Sequence, residues 1–144
     1  MIRNGSAVWN GTIREGNGTL TTPSTVLNNT PYSFKLRFEN EDGLAGTNPE
    51  ELIAAAHAGC FSMAFSGQLT NNNFTPTSIT TNAALTMEKT DAGFTITKIH
   101  LTVNAVVPGI TEEKFQELAG NAKAGCPVSR VLNAEITMTA TLGA

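Results

Sequence analysis

The sequence holds two cysteines, Cys60 and Cys126, and their surroundings differ. A thiol is a good nucleophile only as the thiolate. Cys60 lies in Ala58-Gly59-Cys60-Phe61-Ser62, in the middle of a stretch that reads as helix. A mid-helix position gives no help from the helix dipole, so any activating charge must come from elsewhere in the fold. The plain alternative is a small hydrophobe filling a tight helix contact. Cys126 lies between Gly125 and Pro127. If Pro127 opens a helix, Cys126 is its N-cap, beside free backbone N–H groups that favour a thiolate. That position is expected to hold the sulfur near the surface. The plain alternative is that Gly-Cys-Pro is only a turn.

Four other residues could serve these thiols. Arg37 sits on the polar side of an alternating segment and by default is a solvated surface cation. Glu50 and Glu51 open the helix that carries Cys60, where either is favourable through the dipole alone. His57 precedes Cys60 by three residues, so the two can share a helix face, and a Cys-His pair could support hydrolase chemistry. Two histidines and two cysteines without close ligand spacing argue against a metal site. Glu50 and Cys60 are ten residues apart, about 15 Å along a continuous helix axis. If both belong to one site, either the helix is broken or the glutamate comes from a second chain.

The elements that must position these residues are legible in outline. Ala7-Val8-Trp9 and Thr12-Ile13-Arg14 flank Asn10-Gly11, a hairpin signal, and Asn17-Gly18 repeats the turn dipeptide. Residues 32–38 alternate, with Tyr32, Phe34, Leu36 and Phe38 opposite Ser33, Lys35 and Arg37, which predicts a strand. Asn48 as N-cap, Pro49 at the first position and Glu51 as a capping-box partner predict a helix to about Leu69. It is apolar nearly all round, which predicts a buried central helix. Residues 79–88 and 94–106 form a second predicted hairpin, with a bulge near Lys98 where the apolar phase shifts. Thr111 caps a helix with the stripe Phe115, Leu118, Ala119 and Ala122. Gly125 ends it, and Pro127 starts a short helix. The final segment alternates Ile136, Met138, Ala140 and Leu142 against polar neighbours. The expected fold is α+β in a single domain, residues 1–144.

Bulk properties exclude several function classes. Net charge is −3 with no Lys/Arg run, so nucleic acid and anionic membranes are unlikely partners. No apolar run long enough to span a bilayer is expected, and Met1-Ile2-Arg3-Asn4-Gly5 lacks the apolar core of a signal peptide. A cytoplasmic location is the default, and in that reducing compartment a permanent structural disulfide is not expected.

The run Asn48-Pro49-Glu50-Glu51-Leu52-Ile53-Ala54-Ala55-Ala56-His57-Ala58-Gly59-Cys60-Phe61-Ser62-Met63-Ala64 resembles the signature of the OsmC/Ohr family, the osmotically inducible and organic hydroperoxide resistance proteins. Lys123-Ala124-Gly125-Cys126-Pro127-Val128-Ser129 resembles the second signature. Pro31-Tyr32 and Arg37-Phe38 resemble the OsmC branch. The resemblance covers essentially the whole chain. It implies an OsmC-like α+β fold, with antiparallel sheets around a central helix, in an intertwined homodimer with two interface sites. It implies a peroxidase without cofactor or metal, in which Cys60 attacks an organic hydroperoxide and Cys126 resolves the sulfenic acid as a disulfide. Arg37 and Glu50 fall on the positions that support the thiolate, and an external dithiol, a lipoyl protein by family precedent, restores both thiols. The loop Asn40–Gly46 is a few residues longer than expected for that branch. A Cys-His hydrolase and a non-enzymatic stress or ligand-binding protein are the other function classes open to the sequence.

Overall fold

In the computed structural model, which describes residues 1–143, the chain falls into two compact units, one over Met1–Leu52 and one from Ile53 onward. The first unit holds a three-stranded antiparallel sheet of β1 (Ser6–Asn10), β2 (Asn17–Thr21) and β3 (Thr30–Ser33) in the order β1-β2-β3. The partner of β1 is not residues 12–14 but β2, with Asn10 opposite Asn17. Residues 12–16 instead close a turn, in which the Gly16 amide donates to the Thr12 carbonyl at 2.8 Å. Asn17-Gly18 is therefore strand rather than turn. Gly18 is required there by close approach: a Cβ would stand 2.6 Å from the Tyr32 ring and 3.0 Å from the Trp9 ring.

The strand expected over residues 32–38 stops at Ser33, and Phe34–Phe38 is a short helix, α1. Ser33 is its N-cap, in extended conformation, with Oγ accepting from the Leu36 amide at 3.2 Å. Capping by a side-chain oxygen is what turns the chain from strand to helix here. The alternation misled because Phe34 and Phe38 are also spaced i,i+4, and their rings meet at 4.8 Å between centroids.

Helix α2 spans Pro49–Asn71. Asn48 Oδ1 caps it by accepting from the Glu51 amide at 2.8 Å. The Glu51 carboxylate does not complete a capping box; it accepts from the Thr47 hydroxyl at 2.7 Å. Only one stripe of α2 is buried in this chain, His57, Phe61, Phe65 and Leu69, whereas Met63 is 80% exposed. The expectation of burial all round is thus corrected. So is the absence of any bilayer-length apolar run: by length and composition alone part of this 23-residue helix passes for a membrane span. The core helix of a soluble protein passes the same test.

In the second unit β4 (Ser78–Thr90) and β5 (Gly93–Val106) form an antiparallel hairpin. Its register shifts where Thr86 faces Lys98 and Met87 faces Ile96, the expected bulge. Helix α3 (Glu112–Gly125) follows, capped by Thr111 and burying Phe115, Leu118, Ala119 and Ala122, the stripe read from sequence. The short α4 (Pro127–Val131) then leads to β6 (Glu135–Gly143). Strand β6 pairs parallel with β5, so this sheet is mixed rather than antiparallel. A parallel neighbour needs a crossover, and α3 with α4 supplies it. Apolar side chains of α2, β5 and α3 make the core, where Phe65 and Phe115 meet edge to face at 5.3 Å.

Candidate active site

Cys60 and Cys126 stand 66 positions apart in the sequence, and the fold closes that gap. Cys60 rides on α2, one turn past His57. Cys126 ends α3 and stands at the N-cap of α4, because Pro127 takes the first helical position and its ring cannot continue α3. The two sulfurs are 3.0 Å apart and both are free thiols. The exposures are the reverse of the simplest expectation. Cys126 is fully buried, and Cys60 is the partly exposed thiol. The N-cap geometry that was expected to hold the Cys126 sulfur near the surface turns it inward, against α2.

Their environments differ in sign. Burial and the hydrogen bond with Cys126 push the Cys60 thiol up, with the Val128 amide pulling the other way. Burial would push the Cys126 thiol up as well. The Ser129 amide, the Cys60 thiol, the Ser129 hydroxyl and the Val128 amide together outweigh it and hold Cys126 below the ordinary thiol range. Helix α4 has no side-chain cap hydrogen bond at Cys126. These groups therefore act as nearby electropositive hydrogens rather than as full cap bonds. Within one chain, then, negative charge rests more easily on Cys126 than on Cys60, and the help Cys60 gets from the Val128 amide is outweighed by burial and by Cys126.

Arg37 and Glu50 lie together in the first unit. Arg37 sits in the last turn of α1 and Glu50 in the first turn of α2. The guanidinium forks onto the carboxylate, Nε donating to Oε2 at 3.1 Å and Nη2 to Oε1 at 2.5 Å. Two parallel charge-assisted bonds fix the plane of the guanidinium. The Arg37 side chain keeps 35% of its exposure and Glu50 only 15%, so the carboxylate is the held partner and the cation can still meet a solute. The guanidinium also stacks on Phe38 at 5.0 Å. A cavity of about 240 Å³ opens beside it, lined by Trp9, Ile13, Tyr32, Phe34, Phe38 and Arg37. Aromatic walls around one fixed cation suit a small, mostly apolar molecule with one polar end. Phe61 and Phe65, which follow Cys60 along α2, are wholly buried in the core.

His57 does not hydrogen-bond Cys60. Its Nε2 meets Ser129 Oγ at 2.8 Å, and its Nδ1, fully buried, has no partner among the described residues. Burial lowers its pKa. A neutral imidazole bound to a serine is poorly placed to act as the base of a Cys-His hydrolase. Ser129 is the residue that sequence reasoning missed. The available signal was symmetry of spacing, since Ser129 follows Cys126 by three and His57 precedes Cys60 by three. Among the described residues no three of His, Cys, Asp and Glu are grouped to hold a metal ion.

The chain is similar to known proteins of one family. The OsmC family model, described as OsmC-like protein, matches residues 40–141. The chain is 56% identical over 136 residues to Peroxiredoxin OsmC of Escherichia coli (strain K12), covering 94% of this chain and 93% of that one. It is 30% identical over 120 residues to Organic hydroperoxide resistance protein OhrB of Bacillus subtilis (strain 168), covering 83% and 84%. The crystal structure of that OhrB superposes with a TM-score of 0.73 over 96% of this chain and 98% of that chain.

Proposed function

This chain belongs to the OsmC family, and on that footing we propose that it is a two-cysteine peroxidase that reduces organic hydroperoxides in the cytoplasm. The observation that carries the proposal is the 3.0 Å contact between Cys60 and Cys126. Two free thiols so close are one bond formation away from a disulfide, whose sulfurs lie about 2.05 Å apart. In the proposed cycle the Cys60 thiolate attacks one peroxide oxygen. The O–O bond breaks, the leaving alkoxide takes a proton to become an alcohol, and Cys60 becomes a sulfenic acid. Cys126 condenses with it, releasing water, and an external dithiol restores both thiols by exchange. Cys60 has the access for the first step, being the partly exposed thiol, and Cys126 is shielded from the peroxide.

Arg37 and Glu50 take the roles of charge donor and orienter. The guanidinium stays cationic at any working pH. It favours thiolate on Cys60 and stabilises charge that develops on the leaving oxygen. Cys60 needs such a partner, because its own surroundings raise its pKa. The reading assigns that Arg37 to a second copy, in a homodimer with an active site at each interface. The aromatic cavity beside Arg37 favours an organic hydroperoxide over hydrogen peroxide. A lipoyl dithiol is the proposed reductant. The test is steady-state turnover of an organic hydroperoxide with a lipoyl dithiol or with thioredoxin as reductant. Turnover is expected to be faster with the lipoyl dithiol and abolished in Cys60→Ser. Turnover retained by Cys60→Ser overturns the proposal.

A further inference from the structure

The thiol pair is not the only contact that ties α2 to the segment after α3. One turn away, His57 Nε2 meets Ser129 Oγ at 2.8 Å. The two contacts run antiparallel: residue 57 meets 129 and residue 60 meets 126, three residues apart on each side. Helix α4 is five residues long and has no side-chain cap hydrogen bond. A single turn is not stable by itself, so its placement depends on what anchors it. The His57 bond is such an anchor, and it is an unusual one. His57 is the only fully buried polar side chain of the described residues, and its second nitrogen is unpartnered. A buried polar group that is only half satisfied calls for an explanation. The simplest assignment puts the proton on Nε2, donating to Ser129 Oγ, because a buried N–H without a partner is rarer than a bare acceptor. The Ser129 hydroxyl hydrogen is then free to face the Cys126 sulfur.

We propose that His57 and Ser129 are positioning residues for the resolving step, a buried clamp that keeps Cys126 Sγ facing Cys60 while Cys60 is oxidised. The proposal rests on the peroxidase reading and deepens it. Resolution is a substitution at sulfur. The electron pair of the Cys126 thiolate forms the S–S bond, the S–O bond of the Cys60 sulfenic acid breaks, and the departing hydroxide takes a proton to become water. Cys126 is oxidised as the sulfenic sulfur is reduced, and the hydroperoxide spent in the first step supplied the oxidant. Attack must come from the side opposite the S–O bond. Adding an oxygen to Cys60 crowds the 3.0 Å contact, and without an anchor one turn away α4 would swing out to relieve it. The clamp resists that movement and leaves the Ser129 hydroxyl beside the Cys126 sulfur.

The test uses the reduced full-length protein mixed with one equivalent of cumene hydroperoxide. Dimedone traps sulfenic acid, and mass spectrometry follows Cys60 oxidation and disulfide formation in the same samples. Ser129→Ala is expected to slow disulfide formation about tenfold more than it slows Cys60 oxidation, since small misplacements of reacting atoms cost that much or more. Sulfenic acid then accumulates. Ser129→Thr, which keeps the hydroxyl, restores resolution. His57→Gln combined with Ser129→Ala is no worse than Ser129→Ala alone, because both remove one bond. A folded Ser129→Ala that closes the disulfide at the wild-type rate overturns the clamp and leaves the peroxidase reading intact. Failure of Ser129→Thr to rescue also overturns it. A wild-type chain that turns over hydroperoxide without forming any Cys60–Cys126 disulfide overturns both.

Discussion

Closing the Cys60–Cys126 disulfide should stabilise the fold by a measurable amount. The two positions are 66 residues apart in sequence. Linking them removes loop-closure entropy from the unfolded chain, which for a loop of this length amounts to about 4.4 kcal/mol at 25 °C in the chain-entropy picture. The native chain already holds the sulfurs 3.0 Å apart, so closure needs roughly 1 Å of further approach to reach bonding distance. Little of the entropic gain is lost to rearrangement, and the expected net effect is about 2–4 kcal/mol. The assay is urea unfolding of the oxidised and the fully reduced protein at one fixed protein concentration. With a slope near 2 kcal/mol per molar urea, the oxidised midpoint should stand about 1–2 M higher. Cys126→Ser treated in the same way should show no such difference. An oxidised midpoint equal to or below the reduced one would refute the reasoning, because it would mean that the sulfurs are not preorganised for bonding.

Arg37→Ala should slow oxidation of Cys60 by roughly 10²–10³-fold by removing a fixed charge from the developing oxyanion. Arg37→Lys should recover only part of this, since an ammonium cannot fork onto Glu50; stopped-flow loss of free thiol measures both. Phe115→Ala should cost about 3–5 kcal/mol in thermal or urea unfolding, because Phe115 is fully buried against Phe65. Burial and Cys126 raise Cys60 in the folded chain, so its contribution to stability is present below the unfolded thiol value of about 8.5 and is lost as pH rises through the higher folded value. Cys126 is lowered, the nearby hydrogens outweighing burial. Its contribution is present above about 8.5 and is lost as pH falls through the lower folded value. Reduced Cys60→Ser, which removes the first effect and keeps the Ser129 and Val128 share of the second, should therefore gain stability from about pH 7 to 9 relative to wild type, read from urea midpoints across that range; a flat or falling difference contradicts the assignment.

The elements whose signals are local were legible in the sequence. Thr111 as a cap, the stripe Phe115 to Ala122 and Pro127 as a helix start each depend on neighbours within a few residues, and each occurs as read. The bulge opposite Thr86 was visible because a strand that changes apolar phase must bulge. Residues 34–38 were misread because one spacing satisfies two periods, and the cap at Ser33 decides between them. Asn17-Gly18 was misread because its glycine serves close packing against Trp9 and Tyr32 rather than a turn. At the candidate site, the two cysteines and the Arg37–Glu50 pair were named from sequence, the pair through resemblance. The depth of Cys126 and the bond between His57 and Ser129 were not. Both depend on how α4 settles on α2, and a contact across 72 positions leaves no periodic trace in the chain.

The central claim is that hydroperoxide chemistry begins on Cys60 and ends in a bond to Cys126. Its most direct measurement is peptide mapping by mass spectrometry after one equivalent of an organic hydroperoxide, on wild type and on Cys126→Ser. The account predicts a Cys60–Cys126 linked peptide in wild type and a sulfenic acid confined to Cys60 in the variant. Oxidation appearing first on Cys126, with Cys60 left as a thiol, would contradict it.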